Sequence, residues 1–555
     1  MKRRPRFAPS LRALALLLLL PAVCAAQETQ AQAERPYRIS YRLSMPRPES
    51  HLFEVEVDVD GVAAGDAVDF QMPRWSPGRY AVFDFAKNVQ EVRADTLCPP
   101  RTKCERRALR VERLDTQTWR VSSPGPEGLT LSYKVFADDL SGTFSQLDRR
   151  HANYNGHSVF MYVAGHKQDP VGLKIDAPAG WKIVNGQTIR DNQSEFKFPN
   201  YDLLVDTPTE IGPDWTVDEF RLGGRVYRVV VHSFGDEGGR RAELVRQVER
   251  VVRAQVETMG EPEFERYVFL FHFDPTARRG DGMEHLNSTQ IVETGPLSDR
   301  NVFAGAVGTA SHEFFHVWNV KRLRPAGLGP WDFTRPVVTR GLWIAEGFTN
   351  YYGTLHEHRA GLLDEERLYG RLAETVTRVE NHPGNALMSA EEASLLASFL
   401  DRASHDQRTN LENTSVSYYP KGETLGLALD LLIRARTRGR SSLDEVMRRA
   451  YRKFYLESPN DSYYLRGRGY TLEEFFAHIK EVTGEDFDFF LERHVRQTAP
   501  PPYEEGFAAV GLRFLRVPER GPNAAPARAT YRIEKDERAT PEARALRAAW
   551  LSGKK

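Results

Sequence analysis

Cysteine is scarce in this chain of 555 residues, with three in all. An excess of charge of either sign is also missing: 76 basic residues face 76 acidic ones, so no global field favours nucleic acid or an anionic membrane. Past the first twenty residues no stretch approaches the ~20 apolar residues needed to span a bilayer. Internal repeats are absent, and low-complexity sequence is confined to the N-terminus and an Ala/Arg/Pro-rich C-terminus. These absences argue against a nucleic-acid binder, a membrane-spanning protein and a repeat array.

What is present is the balance of a folded protein, with 41% hydrophobic, 27% charged and 11% aromatic residues. At roughly 100–200 residues per domain, two to four domains are expected. The N-terminus stands apart. Lys2, Arg3, Arg4, Arg6 and Arg12 lead into or begin an apolar run from Ala13 to Leu20, followed by Pro21-Ala22-Val23-Cys24-Ala25-Ala26. Basic, apolar and small residues in that order are the pattern of an export signal, so residues 1–26 are expected to be removed and the protein to be periplasmic or secreted. Arg3-Arg4 leaves the Sec and twin-arginine routes both open. Cleavage removes five basic residues and no acidic one, leaving 71 against 76 and a mature charge of −5. Cys24 leaves with the signal. Cys98 and Cys104 remain as a pair around a turn-like segment and are expected to form a disulfide in an oxidising compartment. A metal-binding pair would need further Cys or His nearby.

From Tyr37 to Leu222 the chain reads as β, with Tyr37–Leu43, Leu52–Val59, Thr116–Val121, Leu129–Val135 and Phe160–Val163 as the clearest strands. Near Asp236 the character changes. Leu244, Val248, Val251, Val252 and Val256 recur at helical spacing, Arg266–Phe273 is a compact apolar strand, and helices dominate from Phe303 to about Gln497. The expected architecture is multidomain α+β: a signal over 1–26, a β-rich domain over 35–215, a mostly helical domain over 216–500 and a charged tail over 501–555.

The strongest chemical signal is His312-Glu313-Phe314-Phe315-His316. Residues four apart share one face of a helix, so both imidazoles can reach one ion, and Glu313 can take a proton from a water that the metal activates. With 15 His in 555 residues, chance supplies about 0.03 such motifs per chain. Two histidines leave zinc short of a ligand. Glu346, inside the apolar stretch Gly341–Phe348, supplies a carboxylate that would be costly to bury unpaired, and Asn350 one turn later is a partner for an imidazole N–H. His356 and His358, two apart, diverge on a helix and are expected to face solvent. Two weaker segments complete the set. Gly282-Met283-Glu284-His285 precedes a β-like run whose edge could hold an extended peptide, with Glu284 placed to pair with an α-ammonium. Tyr418-Tyr419-Pro420-Lys421-Gly422 offers a hydroxyl for a developing oxyanion, from Tyr419 or its neighbour Tyr418.

Together these segments resemble metallopeptidase family sixty-one, the glycyl aminopeptidase family of the thermolysin-like gluzincins. Met72-Pro73-Arg74-Trp75-Ser76-Pro77-Gly78-Arg79-Tyr80 is similar to that family's N-terminal signature, and Tyr201–Pro208 to its segment before the catalytic domain. The resemblance runs from about Tyr37 to Leu512. It implies a thermolysin-like catalytic domain with one zinc per chain, His312, His316 and Glu346 as ligands, Glu313 as general base, Tyr419 as oxyanion donor, and Gly282, Met283 and Glu284 at the substrate's N-terminus. It also implies peptide substrates with small N-terminal residues, Gly or Ala. Met283 is the residue expected to close the pocket by its bulk, while Phe303, Trp318 and Phe348 read as core. The sequence departs from the family where Asp281 replaces a glycine, where Pro420 replaces an acid, and where only about 55 residues follow Pro500, too few for a PDZ domain. The expected function is an exported zinc aminopeptidase. The alternatives are an endopeptidase of the same chemistry and a non-catalytic binding protein with a vestigial zinc site.

Overall fold

Alternating apolar residues drive the first part of the chain into strands. In Leu52–Asp60 every second side chain is buried (Phe53, Val55, Val57, Val59), and the register aligns Tyr41 with Val57 and Val57 with Leu131 across three adjacent strands. These belong to a ten-stranded sheet drawn from Arg38–Ser44 to Glu195–Phe198, antiparallel apart from the pairing of Arg38–Ser44 with Val171–Asp176. A smaller sheet of four strands includes Ala152–Tyr154 and Thr209–Gly212. This computed structural model describes residues 36–63, 65–98, 104–122, 124, 128–190, 192–401, 411–460, 462–518 and 528–554. The expected signal at 1–26 lies outside the described residues, and Cys98 and Cys104 form the expected disulfide.

The second part is built on a five-stranded sheet. Arg225–Ser233, Arg266–Phe273 and Ser288–Glu293 run parallel, and Thr216–Leu222 and Asp281–Glu284 close the two edges antiparallel. Helices Arg241–Met259 and Arg300–Phe315 pack beside this sheet, the first through Leu244, Val248, Val251 and Val252. The rest is mostly helical, so the chain is a β-rich domain followed by a helical one, and from Tyr37 onward it forms one compact unit. Past Pro502 the chain adds helix Tyr503–Ala509, a hairpin of Leu512–Pro518 with Ala529–Lys535, and helix Pro541–Ser552. Trp550 of that last helix is fully buried and donates from Nε1 to the Tyr351 hydroxyl at 2.8 Å. Among the described residues no helix is long and apolar enough to cross a membrane.

His356 departs from its expected exposure. It lies on helix Thr349–Arg359 with no surface accessible, its Nδ1 2.8 Å from the Tyr352 carbonyl and its Nε2 2.9 Å from the Thr258 hydroxyl. The two-residue spacing does turn His358 elsewhere, but the helix is buried on more than one side. Burial, with Arg359 nearby, pulls His356 down from 6.5 to about 3. Between those values the unfolded chain takes up the proton and the folded chain does not, so stability falls as pH drops through that window. At pH 5 the loss is about 2 kcal/mol. Thermal unfolding between pH 7.5 and 5 checks this: His356→Gln should show a shallower decline, and an unchanged slope would exclude His356 as its source.

Candidate active site

Asp299 starts the motif helix by accepting from the amides of Asn301 and Val302 at 2.7 and 3.1 Å, so Arg300–Phe315 begins at a defined residue. Its C-terminal end carries His312 and His316, whose Nε2 atoms face each other at 3.0 Å. Glu346 arrives from the π-helical turn Trp343–Phe348, with Oε2 3.4 Å from His316 Nε2 and 3.7 Å from His312 Nε2. Donors bound to zinc at about 2.0–2.1 Å in a tetrahedron stand ~3.4 Å apart, so the spacing of these three atoms fits that ion.

Outer contacts fix the donors. The His316 Nδ1–H donates to the Asn319 carbonyl at 2.7 Å, the role expected of Asn350. Asn319 Nδ2 in turn donates to the carbonyls of Ile344 and Ala345 at 3.0 and 3.2 Å, tying the motif helix to the turn that carries Glu346. That turn is seated by backbone contact: a Cβ on Gly347 would lie 2.3 Å from the Cα of Gly422. Only glycine permits this approach, which sets helix Tyr418–Thr437 against Glu346 and brings Tyr418 and Tyr419 to the same wall. Lys421 turns away, donating to the Met388 carbonyl at 2.8 Å.

The donors open into a cavity of about 630 Å³ that Glu284, Glu313, Asn350, Tyr418 and Tyr419 also line. Gly282 lines it as well, and its missing side chain matters: a Cβ there would stand 2.2 Å from Glu313 Oε1. Gly282→Ala should therefore displace the carboxylate and lower kcat by up to ~10²-fold while zinc content stays unchanged. Parallel kinetics and metal analysis check this, and full activity would show that the carboxylate has room to move. Met283 is not among the cavity's lining residues. It packs at the Gly78 and Gly142 backbones, with its Sδ beside Gly78 at the point the Glu284 carboxylate also meets. Phe303, Trp318 and Phe348 are buried core.

The N-terminal domain also reaches the site, which sequence reasoning missed. Tyr80 donates its hydroxyl to Glu346 Oε1 at 3.2 Å, and its amide donates to Asp401 Oδ2 at 2.9 Å. Arg79 pairs with buried Asp281 and donates to the Gly282 carbonyl at 2.8 Å, while Asp281 Oδ2 accepts from the Gly142 amide at 3.0 Å. The departure at Asp281 thus anchors the edge strand to the β-rich domain. Asp206, from the Tyr201–Pro208 segment, accepts from Lys321 Nζ and the Leu286 amide, both at 2.8 Å, and holds the turn after Glu284. Both anchors sit in segments the sequence singled out, but nothing in their spacing told which side chains turn inward.

Acids dominate the cavity, with Arg79 set against Asp281, Glu284, Glu293, Glu313, Glu346 and Asp401. Burial pushes Glu313 up to about 8, with the Glu284 and Glu346 carboxylates adding to it against His316 and Arg79. Burial alone pushes Glu293 up to about 7. Tyr419 is held well above the ordinary phenol range by burial and then by Glu346, so it stays a donor. One Glu284 oxygen, Oε1, is buried with no hydrogen-bond partner. The geometry gathers two imidazoles and a carboxylate at metal-ligand spacing, a buried Glu313, a phenol donor and an unpartnered Glu284 oxygen.

Comparison with known families gives two matches: Peptidase M61 N-terminal domain over residues 40–213, and M61 glycyl aminopeptidase over residues 305–425. Among solved structures the chain is similar to an aminopeptidase N family protein from Idiomarina loihiensis, at 25% identity and a TM-score of 0.76, covering 86% of this chain and 79% of that one. It is also similar to a mutant M1 zinc metallopeptidase from Deinococcus radiodurans bound to a Tyr-Ser-Ala substrate, at 15% identity and a TM-score of 0.48, covering 84% of this chain and 96% of that one. No curated protein matches it.

Proposed function

Since the chain belongs to the M61 glycyl aminopeptidase family and is a zinc metallopeptidase, we propose that it removes single residues from the free N-termini of peptides after its own export. The observation that carries the aminopeptidase reading is the unpartnered Glu284 oxygen, buried at the end of the edge strand beside the metal-binding residues. A free α-ammonium supplies the donor and the charge that this oxygen lacks. Gly78, at φ +85°, presses its backbone behind that carboxylate, where a Cβ would lie 2.6 Å from Oε2. This close wall beside Glu284 suits a chain end rather than a continuing chain, which favours exopeptidase over endopeptidase action.

His312, His316 and Glu346 would hold the zinc, which when bound would supply a Lewis acid for the scissile carbonyl and for water near neutral pH. Glu313 takes the water's proton and passes it to the leaving amine. Tyr419 donates to the oxygen that gains negative charge, while the Tyr418 ring stands edge-on to Tyr80 with centroids 6.4 Å apart. A preference for Gly and Ala rests on the family. Export is supported by the basic, apolar and small residues of 1–26 and by the Cys98–Cys104 disulfide.

A panel of aminoacyl substrates and their N-acetylated forms, with and without chelator, tests this reading. Cleavage should need metal and a free amine and should fall from Gly and Ala to Leu and Phe. Each added methylene shifts discrimination by only about 1–3 kcal/mol, so the decline should be graded. Glu284→Ala should raise KM for free-amine substrates with a smaller effect on kcat. Equal cleavage of acetylated peptides would make the enzyme an endopeptidase, and a preference for Leu or Phe would overturn the small-residue assignment. Export is checked by N-terminal sequencing of the fractionated protein: an intact Met1 chain in the cytoplasm would overturn it.

A further inference from the structure

A second cluster of metal-ligating side chains lies apart from the catalytic cavity and shares no residue with it. His151 stands just before strand Ala152–Tyr154, and Glu210 is on Thr209–Gly212, both at the four-stranded sheet. His232 on Arg225–Ser233 and His272 on Arg266–Phe273 come from the five-stranded sheet. All four are at most 1% exposed, and one ligand atom from each lies within 4.8 Å of the others. His151 Nδ1 and His232 Nδ1 approach Glu210 Oε1 at 2.9 and 2.7 Å, and His272 Nε2 approaches Oε2 at 2.8 Å. Asn153 Nδ2 donates to Oε2 at 3.1 Å, and Gln290 fixes Asn153 by donating to its Oδ1 at 2.8 Å.

The charges here call for a cation. His232 stands between two carboxylates, with Nδ1 on Glu210 and Nε2 3.0 Å from Asp214 Oδ1. Carboxylates only accept, so a neutral imidazole cannot serve both. Either a proton is added to His232, or a metal ion takes the Nδ1 lone pair while Nε2–H donates to Asp214. The second arrangement is the carboxylate–histidine–metal linkage that orients ligands in metal sites. Asp214 is 63% exposed and solvated, so the buried charge that a cation must balance is that of Glu210. Buried charge left uncompensated is costly, and three imidazoles gathered on one buried carboxylate offer an ion four donors at once. Three imidazoles and one carboxylate suit zinc or another late divalent transition metal, not calcium or magnesium. Four protein donors also complete a tetrahedron and leave no open position for substrate. The nitrogens now stand at hydrogen-bond distance from Glu210, so seating an ion moves them outward by about 0.5 Å to reach tetrahedral spacing.

The geometry points to a second, structural metal site, formed by His151, Glu210, His232 and His272, at which a zinc-type divalent ion clasps the β-rich domain to the catalytic sheet. It is independent of the catalytic zinc and predicts about two ions per chain.

The test uses the full-length mature chain, stripped with chelator, reloaded with cobalt or zinc, and freed of loose metal. The parent should hold about two equivalents. A His312→Ala, His316→Ala double variant loses the catalytic ligands and leaves the cluster untouched, so it should keep about one equivalent, with a visible cobalt band of tetrahedral type. Zinc should also raise its thermal midpoint, because the ion binds only the folded chain. Adding His232→Ala should abolish all three signals. A double variant that binds no metal, or whose metal survives His232→Ala, would overturn the site. The double variant keeps this decisive even if single changes inside the cluster prevent folding.

Discussion

Glu313→Gln is expected to purify with its catalytic zinc and to turn over free-amine peptides some ~10²–10⁴-fold more slowly than the parent. The carboxylate is not one of the three donors, so an amide of the same shape leaves them in place. It also keeps the contact beneath Gly282, where there is no room for a Cβ. What it loses is the ability to take a proton from water and return it to the leaving amine. Stability should not fall far, because burial already makes the charged form of Glu313 costly and an amide of the same shape fills its place. The change should therefore appear in kcat, with metal content and thermal midpoint held near parental values. Normal turnover in this variant would assign the base elsewhere in the cavity, with Glu284 the next carboxylate to test.

The convergence of His312, His316 and Glu346 was legible because helical spacing is a strict constraint. Two histidines four apart share one face of a helix and can meet at one ion, and a buried Glu346 in an apolar run needs a partner. The strands were legible for the same reason: Leu52–Asp60 and Arg266–Phe273 bury side chains in the pattern their periodicity requires. What stayed hidden was long-range. Tyr80 and Glu346 are 266 residues apart, and Arg79 and Asp281 are 202 apart. No local pattern encodes such pairings, although Arg79 and Tyr80 lay inside a segment already singled out. The His151, Glu210, His232 and His272 cluster left no trace at all, since its members come one from each of four separate segments of chain. His356 failed by the opposite route, because a two-residue spacing implies exposure only where a helix has an open face.

Glu346→Ala is expected to abolish activity by removing the metal, a different failure from that of Glu313→Gln. The triad has one anion, and without it two neutral imidazoles 3.0 Å apart must hold a divalent cation alone in a buried site. A conserved-shape change outside the donors sets the scale: Tyr80→Phe removes only the 3.2 Å hydrogen bond to Glu346 Oε1 and should weaken zinc about 10–100-fold. Loss of the ligand itself should exceed that, to ~10³-fold or more. Chelator titration followed by residual peptidase activity gives the order parent, Tyr80→Phe, Glu346→Ala, and it reports the catalytic ion whether or not a second ion is bound. Excess zinc should restore Tyr80→Phe to near-parental kcat, because its base and oxyanion donor are intact. Glu346→Ala should stay inactive at the same concentration. If Glu346→Ala instead held its activity against chelator as firmly as the parent, the third ligand would have to be another carboxylate of the cavity, and the seating of the π-helical turn by Gly347 and Gly422 would serve packing alone.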